Sequence, residues 1–134
     1  MKTLSVLFAG VAILFISSCD FEGKVSGSYY VTAGANSHSS NMNWDTTYGT
    51  GIIKIEKTGP NKLRFIDNAI LNRNFELSYN ESLSSQSDVA YYGDPTGPRF
   101  IKFNRTNDNI EVGDDVFVHT SGSEGTYWTG KKVQ

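Results

Sequence analysis

From residue 28 to the C-terminus, the chain is a succession of short runs rich in β-branched and aromatic residues, cut apart by clusters of Gly, Ser, Thr, Asn and Pro. That punctuation is the strongest constraint on its fold. An amphipathic helix needs apolar residues spaced by three and four over a long window, and no long segment here supplies them. The runs alternate with a period of two instead. In "SYYVTA" (28–33), Tyr29 and Val31 oppose Tyr30 and Thr32. In "GIIKIEKT" (51–58), Ile53 and Ile55 share one face, with Lys54 and Glu56 on the other. The turn "GPN" (59–61) leads into "KLRFI" (62–66), where Leu63 and Phe65 oppose Arg64, and this pair is the clearest hairpin in the sequence. "NFELSY" (74–79), "DVAYYG" (88–93), "RFIKFNR" (99–105), "NIEV" (109–112), "DVFVHT" (115–120) and "GTYWTGKKV" (125–133) continue the series.

These make about eight or nine strands at the spacing of roughly 8–12 residues that marks sandwiches and barrels. With no long βα crossovers, neighbouring strands should be antiparallel and mostly sequential. An isolated open sheet would leave edges that invite aggregation, and closure removes them. The expected fold is therefore all-β: a small antiparallel up-and-down barrel of about eight strands, with a two-sheet β-sandwich as the alternative.

The N-terminus is different in kind. Met1 and Lys2 give a positive start, Leu4 to Ile16 runs thirteen residues without a charge, and Ser17, Ser18 and Cys19 follow. Crossing the hydrocarbon core takes about 20 apolar residues, so this run is short for a stable span. A positive start, a short apolar stretch and a small-residue finish describe a secretory signal peptide. Without residues 1–18 there remain 116 residues, enough for one domain, carrying 11 basic and 14 acidic side chains. No basic patch or Arg-rich run marks a nucleic-acid partner. Cys19 is the only cysteine, so no intramolecular disulfide can form and stability must come from a packed core.

The sequence Ile16-Ser17-Ser18-Cys19 resembles the lipobox of bacterial lipoproteins, which sets an aliphatic residue three before the cysteine and small residues between. The resemblance implies cleavage between Ser18 and Cys19, a diacylglyceryl group on the Cys19 sulfur, and attachment to a membrane through that lipid. The organisation it suggests is a removed signal peptide over 1–18, a lipidated cysteine and tether over 19–27, and a barrel or sandwich over 28–134. An opening G-x-Y-x-V (Gly27, Tyr29, Val31), a central hairpin and a closing Y-x-x-G-K-K (Tyr127 to Lys132) are similar to small lipocalin-like or calycin-like lipoproteins of the Bacteroidota. The lipocalin G-x-W signature is missing, with "GSYY" in its place, so only the role of Cys19 is carried over. In that group, acids after the cysteine accompany surface export. "CDFEG" has two in four positions, which points to the outer membrane without choosing its face.

Candidate sites are few. The polar connection "GANSHSSNMNWDTTYG" (34–49) is long enough to be functional, and Trp44 within it offers a stacking surface for a sugar at a barrel mouth. Its "DTT" (45–47) resembles a short O-glycosylation motif of exported Bacteroidota proteins. If the barrel holds a cavity, several of Tyr29, Tyr30, Phe65, Phe75, Tyr91 and Phe103 should line it, with Tyr29, Phe65 and Phe75 as the ligand-binding candidates. His38 and His119 are the only histidines and no ligand-pair motif surrounds them, so no metal site is expected. His119 reads as a solvent-facing rim residue. Asp114 and Asp115, near Glu111 and Asp108, lack the spacing of a calcium loop and read as a tight turn. No nucleophile elbow or phosphate-cradling Gly motif is present, so no cofactor is expected. Tyr127 and Trp128 lie on opposite faces of the last run, so one should enter the core while the other stays exposed beside Lys131 and Lys132.

The leading expectation is a non-enzymatic, lipid-anchored envelope protein whose barrel binds a small apolar or glycan ligand. A protein-interaction or enzyme-inhibitor module docking on an envelope protein comes second, and a hydrolase third.

Overall fold

The computed structural model describes residues 21–36, 46–84, 88–120 and 122–134. Eight strands form one antiparallel sheet: β1 (Gly27–Asn36), β2 (Thr46–Gly59), β3 (Lys62–Asp67), β4 (Arg73–Ser78), β5 (Val89–Gly93), β6 (Arg99–Asn104), β7 (Asn109–His119) and β8 (Gly122–Lys132). The last strand returns to pair with the first, giving the order β4-β3-β2-β1-β8-β7-β6-β5. The two outermost strands meet through one antiparallel bridge, Tyr79 opposite Tyr92, so the sheet is nearly closed. The up-and-down barrel is borne out, and the two-sheet sandwich is not.

Period-two alternation sets the inside. Tyr29, Val31, Ile53, Ile55, Leu63, Phe65, Ile101, Phe103, Val112 and Trp128 all point into one continuous buried cluster. The hairpin read at residues 51–66 forms, with Ile55 opposite Phe65 and Lys57 opposite Leu63. At Gly130 the backbones of β1 and β8 run so close that a Cβ would overlap the Tyr30 carbonyl.

Three local readings are corrected. "NIEV" and "DVFVHT" do not flank a turn but belong to one strand, β7. Its register against β8 shifts between Asp114 and Phe117, and Asp115 takes a φ of 54°. This is a bulge, whose backbone requirement Gly and Asp meet as readily as they meet that of a turn.

The second correction concerns the tether. Phe21–Val25 form a single helical turn, α1, with Val25 fully buried and Glu22 only 6% exposed, and Gly27 already begins β1. Phe21 and Val25 are four apart, so both lie on the helix face that meets the barrel. One turn is too short for helical periodicity to register in sequence. A second short helix, α2 (Glu81–Ser84), follows β4, and Asn80 Oδ1 accepts the Leu83 N–H at its start.

The third correction is that neither Tyr127 nor Trp128 is exposed. Trp128 enters the main core, while Tyr127 packs with Phe100 and Val116 in a separate buried cluster. The bulge brings Val116 over this cluster, and Gly113 makes room: a Cβ there would collide with the Phe100 ring and with Val116.

Candidate functional site

The barrel interior is occupied by the protein's own side chains. Phe65 lies 5.0 Å from Phe75 and 4.9 Å from Trp128, ring centre to ring centre. Tyr29 and Phe65 are fully buried and Phe75 nearly so, while the Tyr29 hydroxyl donates to the Val25 carbonyl at 2.6 Å. These three sequence candidates therefore spend their apolar surface on each other and on α1. Of the other residues named for a cavity, Phe103 is inside, whereas Tyr30 and Tyr91 face outward. Ser18, Cys19, His38 and Trp44 lie outside the described residues. His119 is on the rim as read, with Nε2 3.3 Å from Glu124.

Polar groups seal both barrel ends. At the end where β3 and β7 point, Asp67 is fully buried and accepts the N–H groups of Ala69, Ile70 and Leu71 and the Trp128 indole N–H, all within 2.8–2.9 Å. Beside it, Asp114 accepts Arg99 Nε at 2.7 Å, and the Arg99 guanidinium lies 4.9 Å over the Phe75 ring. At the other end, Tyr92 donates to Glu22 Oε1 at 3.0 Å, and Arg105 donates to the Tyr79 hydroxyl at 3.3 Å. Burial, with the Glu22 carboxylate second, holds the Tyr92 hydroxyl well above the ordinary tyrosine range. The Tyr29 hydroxyl is raised as well, first by burial and then by the Asp108 charge. Among these groups only Asp114 Oδ2 is buried without a hydrogen bond, and Arg73 Nε lies 3.8 Å from it.

A different arrangement occurs on the outer wall. Residues facing outward on three adjacent strands form a polar grid: Lys102 and Asn104 on β6, Asn109 and Glu111 on β7, Thr129 and Lys131 on β8. The register sets Lys102 beside Glu111 and Glu111 beside Thr129, and Asn109 beside Lys131. Together with the backbone at Ile110 and Gly130 they enclose a groove of about 380 Å³. Outward tyrosines stand at both sides, Tyr91 opposite Lys102 and Tyr30 opposite Lys131.

Two groups of the groove are shielded from water. Asn109 Oδ1 is buried and, among the described residues, has no hydrogen-bond partner, which is uncommon for a shielded acceptor. Glu111 is desolvated enough to raise its carboxyl above the usual range, while Lys102, 3.9 Å away, acts in the opposite sense. Hydroxyl donors and acceptors of a ligand would find complementary groups at close spacing on a rigid three-strand base. Sequence reading missed this site. The signal was present as outward polar residues at i and i+2 on consecutive strands, yet the same pattern describes any solvated sheet face. Only the register shows that the six converge.

Among the described residues, no group of three or more His, Cys, Asp or Glu side chains is arranged to hold a metal ion. No helix among them is long and apolar enough to cross a membrane. The fold and groove define a class: a filled eight-stranded up-and-down barrel with a polar outer-wall groove. Compared with protein-family models, curated proteins and solved structures, the chain shows no match.

Proposed function

We propose that this chain is a non-enzymatic, lipid-anchored lipoprotein of the outer membrane that binds a hydroxyl-rich ligand of the glycan class on the outer wall of its barrel. The carrying observation is the polar grid of Lys102, Asn104, Asn109, Glu111, Thr129 and Lys131, bounded by Tyr30 and Tyr91. Sugars offer alternating hydroxyls and apolar ring faces. Amide, ammonium, hydroxyl and carboxyl groups answer the first, and tyrosine rings the second. Binding of an apolar ligand inside the barrel has less support, because aromatic side chains already fill that volume. Anchorage rests on the resemblance of Ile16-Ser17-Ser18-Cys19 to a lipobox.

Calorimetric titration of the detergent-solubilised lipoprotein with a galacturonic acid oligomer and with a neutral cello-oligosaccharide tests the ligand class. Binding of either that is lost in Asn109→Ala and Lys131→Ala is the expected result. Absence of heat from both at millimolar concentration, or binding that survives both changes, sinks the reading. Cell fractionation of Cys19→Ala tests the anchor: the variant should leave the membrane fraction, and continued membrane association defeats it.

A second reading, docking on an envelope protein, is favoured by the β7–β8 hairpin. Phe117 and Val118 there are 65% and 51% exposed, next to a hollow of about 310 Å³ lined by Ala35, Asn36 and Glu124 among others.

A further inference from the structure

One residue, Asp20, separates the lipidation candidate Cys19 from the first residue of α1. That helix is fixed to the barrel. Phe21 packs edge-on to Phe103 at 6.1 Å, with the Arg105 guanidinium 5.1 Å over its ring, and Glu22 and Val25 are buried. An extended residue spans at most about 3.6 Å, so an acylated Cys19 leaves the α1 end within roughly 10 Å of the lipid surface. A leash this short restricts how the domain can turn.

The α1 end also has a distinct charge arrangement. Lys24 on α1, Lys131 and Lys132 at the end of β8, and Lys57 and Lys62 flanking the β2–β3 turn occupy one arc. The Lys132 ammonium donates to the Lys24 carbonyl, which ties β8 to α1. Two exposed acids stand among these lysines, Glu56 next to Lys57 and Asp108 next to Lys132, so the five lysines outnumber them, while Glu81 and Asp88 stand on the other arc, at the β4–β5 connection. At the opposite end, Asp94, Asp114, Asp115 and Glu124 outnumber Arg73 and Arg99. Anionic headgroups attract Lys side chains held close to the surface and repel carboxylates.

We propose that the lipid on Cys19 seats the barrel with its α1 end down, the lysine arc against anionic phospholipid headgroups, and the end bearing Phe117 and Val118 pointing away from the bilayer. This orientation rests on the lipoprotein reading above and adds to it a surface and a partner, the headgroup layer. The outer-wall groove then opens sideways, with Lys131 toward the membrane.

The test uses the lipidated protein in vesicles of phosphatidylethanolamine and phosphatidylglycerol. In the first arm, lipidated protein should float with the vesicles and Cys19→Ala should not. Loss of that difference overturns the anchor and the orientation with it. In the second arm, a fluorophore is placed at Thr58→Cys, on the lysine arc, or at Thr120→Cys, at the far end, and quenched by headgroup-nitroxide lipid. Quenching several-fold stronger at residue 58 is expected, whereas equal quenching with flotation intact overturns the orientation alone. Reversing Lys24, Lys57 and Lys62 to Glu should at least halve the contrast without preventing flotation, and an unchanged contrast overturns the role of the lysines.

Discussion

At the α1 end of the barrel, a separate piece of chain covers the opening, while at the opposite end the wall residue Asp67 ties down the β3–β4 connection, whose Ile70 and Leu71 pack against the core. The α1 cover consists of Phe21, Glu22 and Val25, held by hydroxyls of Tyr29 and Tyr92. The far closure is the Asp67 carboxylate, which takes four N–H donors including the Trp128 indole, beside the Asp114–Arg99 pair. A cover made from a local segment can loosen while the wall stands. A closure made from core residues cannot loosen without disturbing the strands that carry it.

The largest expected effect therefore lies at the Asp67 end. Asp67→Ala would leave the buried Trp128 N–H without its acceptor, together with three backbone N–H groups of the β3–β4 connection. Each shielded orphan costs about 1–3 kcal/mol, and the exposed ones recover part of that from water, so a loss of about 3 kcal/mol is expected in urea unfolding. Trp128→Phe in the Asp67→Ala background should cost less than in the native chain, since the indole N–H then has nothing to lose. A loss below about 1 kcal/mol for Asp67→Ala would place the closure elsewhere.

The α1 end should give a smaller, separable effect. Tyr92→Phe removes the hydroxyl that serves the buried Glu22 carboxylate, at a cost of about 1–2 kcal/mol. Tyr29→Phe removes the bond to the Val25 carbonyl, at about 1 kcal/mol. Hydrogen exchange in Tyr29→Phe should accelerate at Val25 and Ser26 more than in β3 or β7. Uniform acceleration would mean that α1 is as integral as the far closure.

The same tyrosines predict an alkaline limit. Both hydroxyls are raised above the ordinary value of 10.0 in the folded protein, so they keep their protons there while the unfolded chain gives them up. The folded state then binds more protons, and stability should fall as pH rises above about 10. In Tyr92→Phe that fall should be shallower, as read from melting temperatures between pH 8 and 11. A slope identical to the native one would remove Tyr92 from the linkage.

What could be read before the structure divides along this comparison. The wall was legible because alternation is local: Ile53, Ile55, Leu63 and Phe65 each declare a face within a few residues. The ends were not, because they depend on contacts far apart in sequence. Asp67 in "RFIDNAI" looks like an ordinary strand-end aspartate until Trp128 comes to lie over it. Glu22 looks like part of an acidic tether until Tyr92 meets it across the barrel seam. That both Tyr127 and Trp128 are buried was hidden for the same reason, since the cover of Tyr127, Val116, arrives through a bulge that resembles a turn in sequence. The groove was invisible because its six residues lie on three strands and nothing in any one strand distinguishes them.

The smallest effect belongs to that groove, which lies between the two ends and carries polar burial of its own. Glu111 has its carboxyl raised above 4.5, chiefly by desolvation, with Lys102 opposing. An acid raised in the folded state holds its proton more tightly there than in the unfolded chain. Its ionisation therefore weakens the fold progressively as pH climbs from about 4.5 through the folded value. Glu111→Gln keeps the shape and removes that charge. Its melting temperature relative to the native protein should be near equal at pH 4 and rise by a few degrees toward pH 7. A relative fall over the same range would mean that the Lys102 ion pair outweighs the cost of burial, making the groove another closure like those at the ends. A rise would show instead that the wall tolerates a carboxylate it would be more stable without, as expected of a site kept to meet a ligand.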